Sequence, residues 1–297
     1  MMSNKHYRAE TTLDFNRIYI IESLGETESK TGKRLYEDIN LKIIEIPALK
    51  TCYYEVYNKD SFFQKLNEIN DKTVKDSVVP IIHLEIHGDD NKEGLVLASG
   101  ENVKWEELRT ILTKININLR NQLLLTLAIC YGDNLVKIIK HNERAPFWGI
   151  IAPDEQVTSH DVEVSFQAFY EEFLSSLDLN SAMTKLNKAY SDKKRYRLGN
   201  CEYIFEAAYN EYLMCHNNLK AKQQRIEKYR KVALKNAFTL EASDDKLDKK
   251  IEETNKKYYE ESRENFFMID LYPQNDDRFN NLSFFNYTGE SMPNFKF

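Results

Sequence analysis

The chain has 297 residues, of which 42% are hydrophobic and 30% charged, with a net charge of −6. That length can bury one large core or a core with an appended module. The acidic balance argues against a general nucleic-acid binder, and no apolar run approaches the ~20 residues that a membrane helix needs. The N-terminal stretch MMSNKHYRAETTLDFN lacks the apolar segment of a signal peptide, so a cytoplasmic location without membrane contact is expected.

Arg17–Ser23 (RIYIIES) is a short apolar run of the kind found in buried strands. A polar loop holding Gly25 and Gly32 leads to a short helix around Lys33–Asn40. Leu41–Pro47 (LKIIEIP) reads as a second strand closed by proline, and the aromatic, β-branched Cys52–Asn58 as a third. Asp60 stands where an N-cap belongs, ahead of Phe62, Leu66 and Ile69 at helical spacing. PIIHLEIHG is a strand, and EGLVLASGENVKW after it is patterned as a hairpin turning at Ser99–Asn102. WEELRTILTKI places Trp105, Leu108, Leu112 and Ile115 on one helical face.

QLLLTLAIC is a wholly apolar strand, DNLVKIIKHN a helix capped by Asp133, and Phe147–Pro153 (FWGIIAP) a further strand. SHDVEVSFQAFYEEFLSSL carries an apolar helical stripe, with Ser159 or Asp161 as its N-cap. Beyond Leu177, NSAMTKLNKAY, EYIFEAAYNEYLMCH and LKAKQQRIEKYRKVALKNAF are helical in pattern. EASDDKLDKK reads as a polar break or a mobile linker, with Ser243–Lys250 a cleavage or flexible site. A charged helix follows it, and the aromatic end reads as a strand returning to the core. Either a boundary falls near 195–200, separating residues 1–195 from a mainly helical region, 196–297, that regulates the first or builds its substrate groove, or that region is integrated with the core as one intertwined unit.

Strands separated by helices imply an α/β fold: a mostly parallel sheet with helices on both faces, and sites at the carboxyl ends of the strands. Two of those ends carry reactive side chains followed closely by glycine: His87-Gly88, and Cys130-Tyr131-Gly132. A cysteine nucleophile needs a thiolate, a nearby imidazole to take and return the proton, and backbone N–H donors for the oxyanion. Glycine beside the reactive residue removes a Cβ from the path of the substrate. The bland reading of both dipeptides is an ordinary strand end and a loop start. Cys52, Cys201 and Cys215, with no CxxC pair, are read as inert buried thiols.

From Arg17 to about Tyr190 the order of elements resembles the caspase-like cysteine peptidases, especially the bacterial CHAT-domain branch. HLEIHGDD resembles the family's strand ending in the catalytic His-Gly, LLLTLAICYGD the strand bearing the catalytic cysteine, and FWGIIAP…FYEEFL the strand and helix that follow. EGLVLASGENVKWEELRTIL is similar to the family's hairpin and helix. The resemblance implies a three-layer αβα sandwich and intracellular endopeptidase chemistry without metal or cofactor. It further implies triggering by a partner or small signal, in a defence or cell-death setting. It assigns His87 as base, Cys130 as nucleophile, and the Gly88 and Cys130 amides as oxyanion donors. Ala128-Ile129-Cys130-Tyr131-Gly132 departs from the caspase Gln-Ala-Cys-Arg/Gln/Gly-Gly signature, which removes the expectation of aspartate specificity.

Glu22, Ala128, His160 and Asp161 are the candidate substrate-binding residues, with Ser23, Lys33 and Arg34 near them. His83, Glu85 and His87 share one strand face. Two histidines four residues apart on a strand lie about 13 Å apart at ~3.3 Å per residue, too far for one ion, so His83 is read as a satisfied core histidine. Seven basic residues against Glu227 between Lys220 and Lys235 form a solvated face or a docking surface for an acidic partner, a nucleotide signal or nucleic acid, the last opposed by the acidic net charge. An inert caspase-like binding or signalling module is the alternative to an enzyme.

Overall fold

The computed structural model describes residues 13–46, 48–190, 195–235 and 244–280. They form two compact units, one from the chain up to Ile138 with Pro146–Asn200, the other from Ile139–Ala145 and from Cys201 onward.

The first unit is built on β1 (Arg17–Ser23), β2 (Lys50–Glu55), β3 (Pro80–Gly88), β6 (Leu124–Ala128), β7 (Gly149–Pro153) and β8 (Tyr196–Asn200). Their order in the sheet is β2-β1-β3-β6-β7-β8, parallel except for β8. A small hairpin, β4 (Gly94–Val96) with β5 (Asn102–Lys104), continues antiparallel from the end of β3. Its helices are α1 (Thr31–Lys42), α2 (Lys59–Lys75), α3 (Trp105–Asn118), α4 (Ser159–Ser176) and α5 (Leu179–Lys188). α1 packs with α4 and α4 with α5, while α2 packs with α3. Two helical layers result because β1 to β2 steps one way along the sheet and β2 to β3 steps back past β1, and right-handed crossovers then send the helices to opposite faces. The α/β class read from the sequence is the architecture adopted.

Burial matches the strand pattern. Ile18, Tyr19, Ile20 and Ile21 of β1, and Leu124, Leu125 and Leu127 of β6, are fully buried, as a parallel sheet covered on both faces requires. The stripe of α4 is buried as Phe166, Phe169, Tyr170 and Phe173.

Several local expectations are overturned. Leu41–Pro47 is not a strand: α1 runs to Lys42 and passes into a 3-10 turn at Ile43–Glu45. Its alternating apolar residues end a helix whose buried face is Leu35 and Ile39, leaving Leu41 and Ile44 exposed. The N-cap of α2 is Asn58, not Asp60. Its side chain accepts from Ser61 N–H, and Ser61 returns a bond to the Asn58 backbone, so both orphan amides are satisfied together. Thr158, rather than Ser159 or Asp161, caps α4 by accepting from Asp161 N–H. Gly132–Ile138 coils as a 3-10 helix, so Asp133 caps no α-helix. The strand β8 was not visible in YRLGN because its arginine and glycine break apolar alternation.

The second unit holds α6 (Cys201–His216), α7 (Leu219–Lys235), α8 (Asp244–Phe266) and α9 (Asn275–Arg278). Its core is aromatic: Phe205 stacks among Tyr209, Tyr259, Phe266 and Phe267. The expected polar break continues as helix from Asp244, with Glu241–Ser243 outside the described residues. Between Phe267 and Asn280 the chain forms turns and α9 rather than a returning strand; the rest of that aromatic stretch lies outside the described residues. Cys201 is buried as expected, whereas Cys52 is half-buried and Cys215 exposed. Among the described residues no helix is long and apolar enough to cross a membrane, and no group of three or more His, Cys, Asp and Glu side chains is placed to hold a metal ion.

Candidate active site

The reversal of connection direction between β1 and β3 opens a crevice at their carboxyl ends, the position where open α/β sheets bind ligands. A cavity of about 310 Å³ lies there. Its walls come from the loop after β1 (Leu24, Glu28), the first residue of α1 (Thr31), the end of β3 (Glu85, His87), the last residue of β6 (Ala128), Cys130 just beyond it, and the start of α4 (Thr158, Ser159, Val162). Sequence-predicted His87, Cys130 and Ala128 are thus brought to one cavity.

Cys130 sits at the corner of a turn closed by Gly132 N–H donating to the Ile129 carbonyl at 2.9 Å. Tyr131 completes that turn at φ +57°, a left-handed conformation that a side chain pays for at roughly 1–2 kcal/mol. Two contacts hold it there: Tyr131 N–H donates to Glu155 O at 3.1 Å, and Lys92 Nζ lies 4.0 Å from the ring centroid. Cys130 Sγ accepts from Val157 N–H at 3.5 Å and lies 3.6 Å from Val157 O, so the sulfur faces the backbone that leads into α4. Gly88 lies against Cys130, where a Cβ would collide with the Cys130 carbonyl oxygen. In the β3–β4 ladder Asp89 N–H donates to Gly94 O. Antiparallel alternation therefore turns Gly88 N–H away from β4.

His87 is half-exposed, and its Nε2 meets Glu28 Oε1 at 2.8 Å. Glu28 Oε2 accepts from Gly25 N–H at 2.5 Å. The Gly25 amide first, and then His87, hold this carboxyl below its usual range. Among the described residues no hydrogen bond joins His87 to Cys130; the two line the same cavity but face separate partners. Glu28 was missed in the sequence. It lies in a polar loop 59 residues from His87, and its one local signal is the Gly25-x-x-Glu28 turn.

A buried polar network lies under the cavity. Glu22 and Glu85 are register partners on β1 and β3. Glu22 accepts from Gly32 N–H at 2.7 Å and from Tyr53 Oη at 2.6 Å, and Glu85 accepts from Thr31 Oγ1. The two acids thereby serve the N-terminus of α1, whose amides lack a side-chain cap. His83 Nε2 is 3.3 Å from Glu85, and its Nδ1 is 2.9 Å from Thr126 Oγ1, which bonds Tyr170 Oη at 2.8 Å. Burial pushes the imidazole down to about 3 and the Glu85 carboxyl well above its usual range. Burial thus favours the neutral form of each, and with it a hydrogen bond over an ion pair.

Three expected substrate-binding residues are directed elsewhere. Glu22 is fully buried and spent on α1. Asp161, 1% exposed, is held by Arg195 at 2.6 Å and by Ser165 and Tyr196. His160 packs edge-on against Tyr190. Of their neighbours, Ser23 donates to Val56 O, and Arg34 pairs with Glu163.

No protein-family model matches the chain. A search of curated proteins finds no match. Among solved structures the chain is similar to a secreted C11 cysteine protease from Bacteroides thetaiotaomicron, determined with an irreversible peptide inhibitor. The likeness has a TM-score of 0.38 and 8% identity, covering 59% of this chain and 57% of that one. The chain thus spans a little over half the length of that protease.

Proposed function

We propose that the protein is a caspase-like cysteine endopeptidase, with Cys130 as nucleophile and His87 as general base and acid. The observation that carries this reading is the cavity at the switch point, which gathers a half-buried thiol and a solvent-reachable imidazole from two different strand ends. In the reaction, His87 removes the thiol proton and Cys130 Sγ bonds to the substrate carbonyl carbon. The carbonyl electron pair moves to oxygen, where the Gly88 and Cys130 N–H groups receive it. Collapse of the adduct expels the amine, which takes the proton from the imidazolium, and water then hydrolyses the thioester. Val157, whose N–H reaches Sγ, precedes the Thr158 cap and so ties the thiol to the backbone that leads into α4.

The cavity serves the side chain before the scissile bond. Besides His87, Glu28 and Glu85 are the titratable side chains in its lining, and no lysine or arginine joins them among the described residues, so an acidic side chain finds no lysine or arginine counter-ion there. Thiol and imidazole are held in different hydrogen bonds, and a partner or small signal that joins them would raise the reactivity of a thiol already activated in the shared cavity. The resemblance to CHAT-domain peptidases adds the defence or cell-death setting and a cytoplasmic site of action. The C-terminal region, 196–297, whose described part after β8 is mainly helical, is assigned regulation of the peptidase or a part in its groove.

The same separation favours a second reading, an inert binding module on a caspase-like fold. Peptide-library digestion by wild type, Cys130→Ala and His87→Ala, read by mass spectrometry, decides between them. The peptidase loses all turnover in Cys130→Ala and roughly 100- to 10,000-fold in His87→Ala. Normal turnover by either variant rejects the assignment.

A further inference from the structure

We infer that Glu28 is a positioning residue for His87, making the site a Cys130–His87–Glu28 arrangement rather than a dyad; this rests on the peptidase reading above. The carboxylate is held at both oxygens, by Gly25 N–H at 2.5 Å and by His87 Nε2 at 2.8 Å. The loop that carries it is closed by Glu28 N–H donating to the Gly25 carbonyl at 3.1 Å. That loop leaves β1 at the switch point, so the fold itself brings Glu28 to the end of β3. Glu28 also lines the cavity that Cys130 shares. Its lowered carboxyl is ionised at neutral pH.

A carboxylate can only accept a hydrogen bond, so the imidazole proton must reside on Nε2. Nδ1 is then the unprotonated nitrogen, the one able to take the thiol proton. When it does, the imidazolium forms beside a negative charge already in place, and the ring keeps its orientation throughout. The pair is half-exposed and solvent screens it, so the effect is modest: roughly a three- to tenfold share of Cys130 reactivity at neutral pH.

Alkylation of Cys130 by iodoacetamide, resolved by mass spectrometry from Cys52, Cys201 and Cys215, tests this across neutral to alkaline pH. Glu28→Gln keeps an acceptor for Nε2–H but loses the charge, and Glu28→Ala loses both. The expected order at neutral pH is wild type, then Glu28→Gln, then Glu28→Ala. The three converge at alkaline pH, where the thiolate forms without help from the imidazolium. Equal rates at neutral pH overturn the inference, and so does a deficit that persists unchanged at alkaline pH, the sign of a merely distorted loop. A wild-type Cys130 no faster than Cys215 instead overturns the peptidase reading. Independently of any variant, nitrogen NMR of His87 in the wild-type protein must show the Nε2–H tautomer; the Nδ1–H tautomer overturns the inference.

Discussion

Gly88 and Cys130 touch so closely that the glycine's missing side chain is what allows the end of β3 to lie against the turn bearing the sulfur. Gly88→Ala puts a methyl group into the Cys130 carbonyl and forces the two apart. Overpacking of this kind costs about 1–3 kcal/mol. The variant is expected to melt lower and to lose roughly tenfold or more in Cys130 reactivity, since a small misplacement of reacting groups is amplified in rate. Gly100→Ala is the control. Gly100 has φ +84° with open space around it, so that variant costs about 1 kcal/mol in backbone strain without changing Cys130 labelling.

The pairing of Arg195 with Asp161 predicts a stability effect at a residue that the sequence suggested for substrate contact. Removing the guanidinium in Arg195→Met leaves a carboxylate that is 1% exposed without its cation. Urea unfolding should show a loss of about 2 kcal/mol. Arg197→Met, which breaks a more exposed pair with Asp154, should stay within about 0.5 kcal/mol of wild type. Equal losses in the two variants would contradict a structural role for Asp161.

The neutral His83–Glu85 contact predicts a particular pH dependence. His83 binds a proton at 6.5 when unfolded but at about 3 when folded. Between those values the unfolded chain holds more protons, so stability falls as pH falls. Glu85 has the opposite sign: unfolded it releases its proton near 4.5, folded it keeps it to higher pH, so stability falls as pH rises above 4.5. From 4.5 to 6.5 the two slopes oppose each other. Each alone is at most about 1.4 kcal/mol per pH unit. Glu85→Gln should therefore flatten the decline above 6.5 and, by removing the opposing slope, steepen the rise in stability between 4.5 and 6.5, as followed by urea melts across pH. An unchanged alkaline slope would show that Glu85 is ionised in the folded protein.

The cavity lining predicts substrate charge. The Glu28 carboxyl is held below its usual range and the Glu85 carboxyl is pushed above it, with no lysine or arginine among the described lining residues. A peptide panel should show aspartate before the scissile bond cleaved roughly tenfold or more slowly than a neutral or basic residue. Preference for aspartate would require a cation that the cavity wall does not supply.

Periodicity and composition made the sheet legible, because β1, β3, β6 and β7 are apolar runs that only a doubly covered sheet can bury. They also made the two strand ends legible, since His87-Gly88 and Cys130-Tyr131-Gly132 interrupt those runs at one edge. What stayed hidden depends on contacts between distant segments. Glu22 looks like a rim acid until Gly32 N–H is found bonded to it. Asp161 looks like a loop acid until Arg195 arrives from 34 residues away. Glu28 has no local pattern that announces His87. Leu41–Pro47 was misread because a helix's final turn and a 3-10 turn can mimic a short strand's apolar alternation.

The most direct test of Cys130 as an activated nucleophile is its alkylation rate against the other three cysteines in the folded, wild-type protein. Exposure alone ranks Cys215 first, because it is exposed while Cys130 is only half-buried. Activation reverses that order: Cys130 should label well ahead of Cys215 at neutral pH and lose its lead in His87→Ala. Labelling of Cys130 at or below the rate of Cys215 would contradict the account.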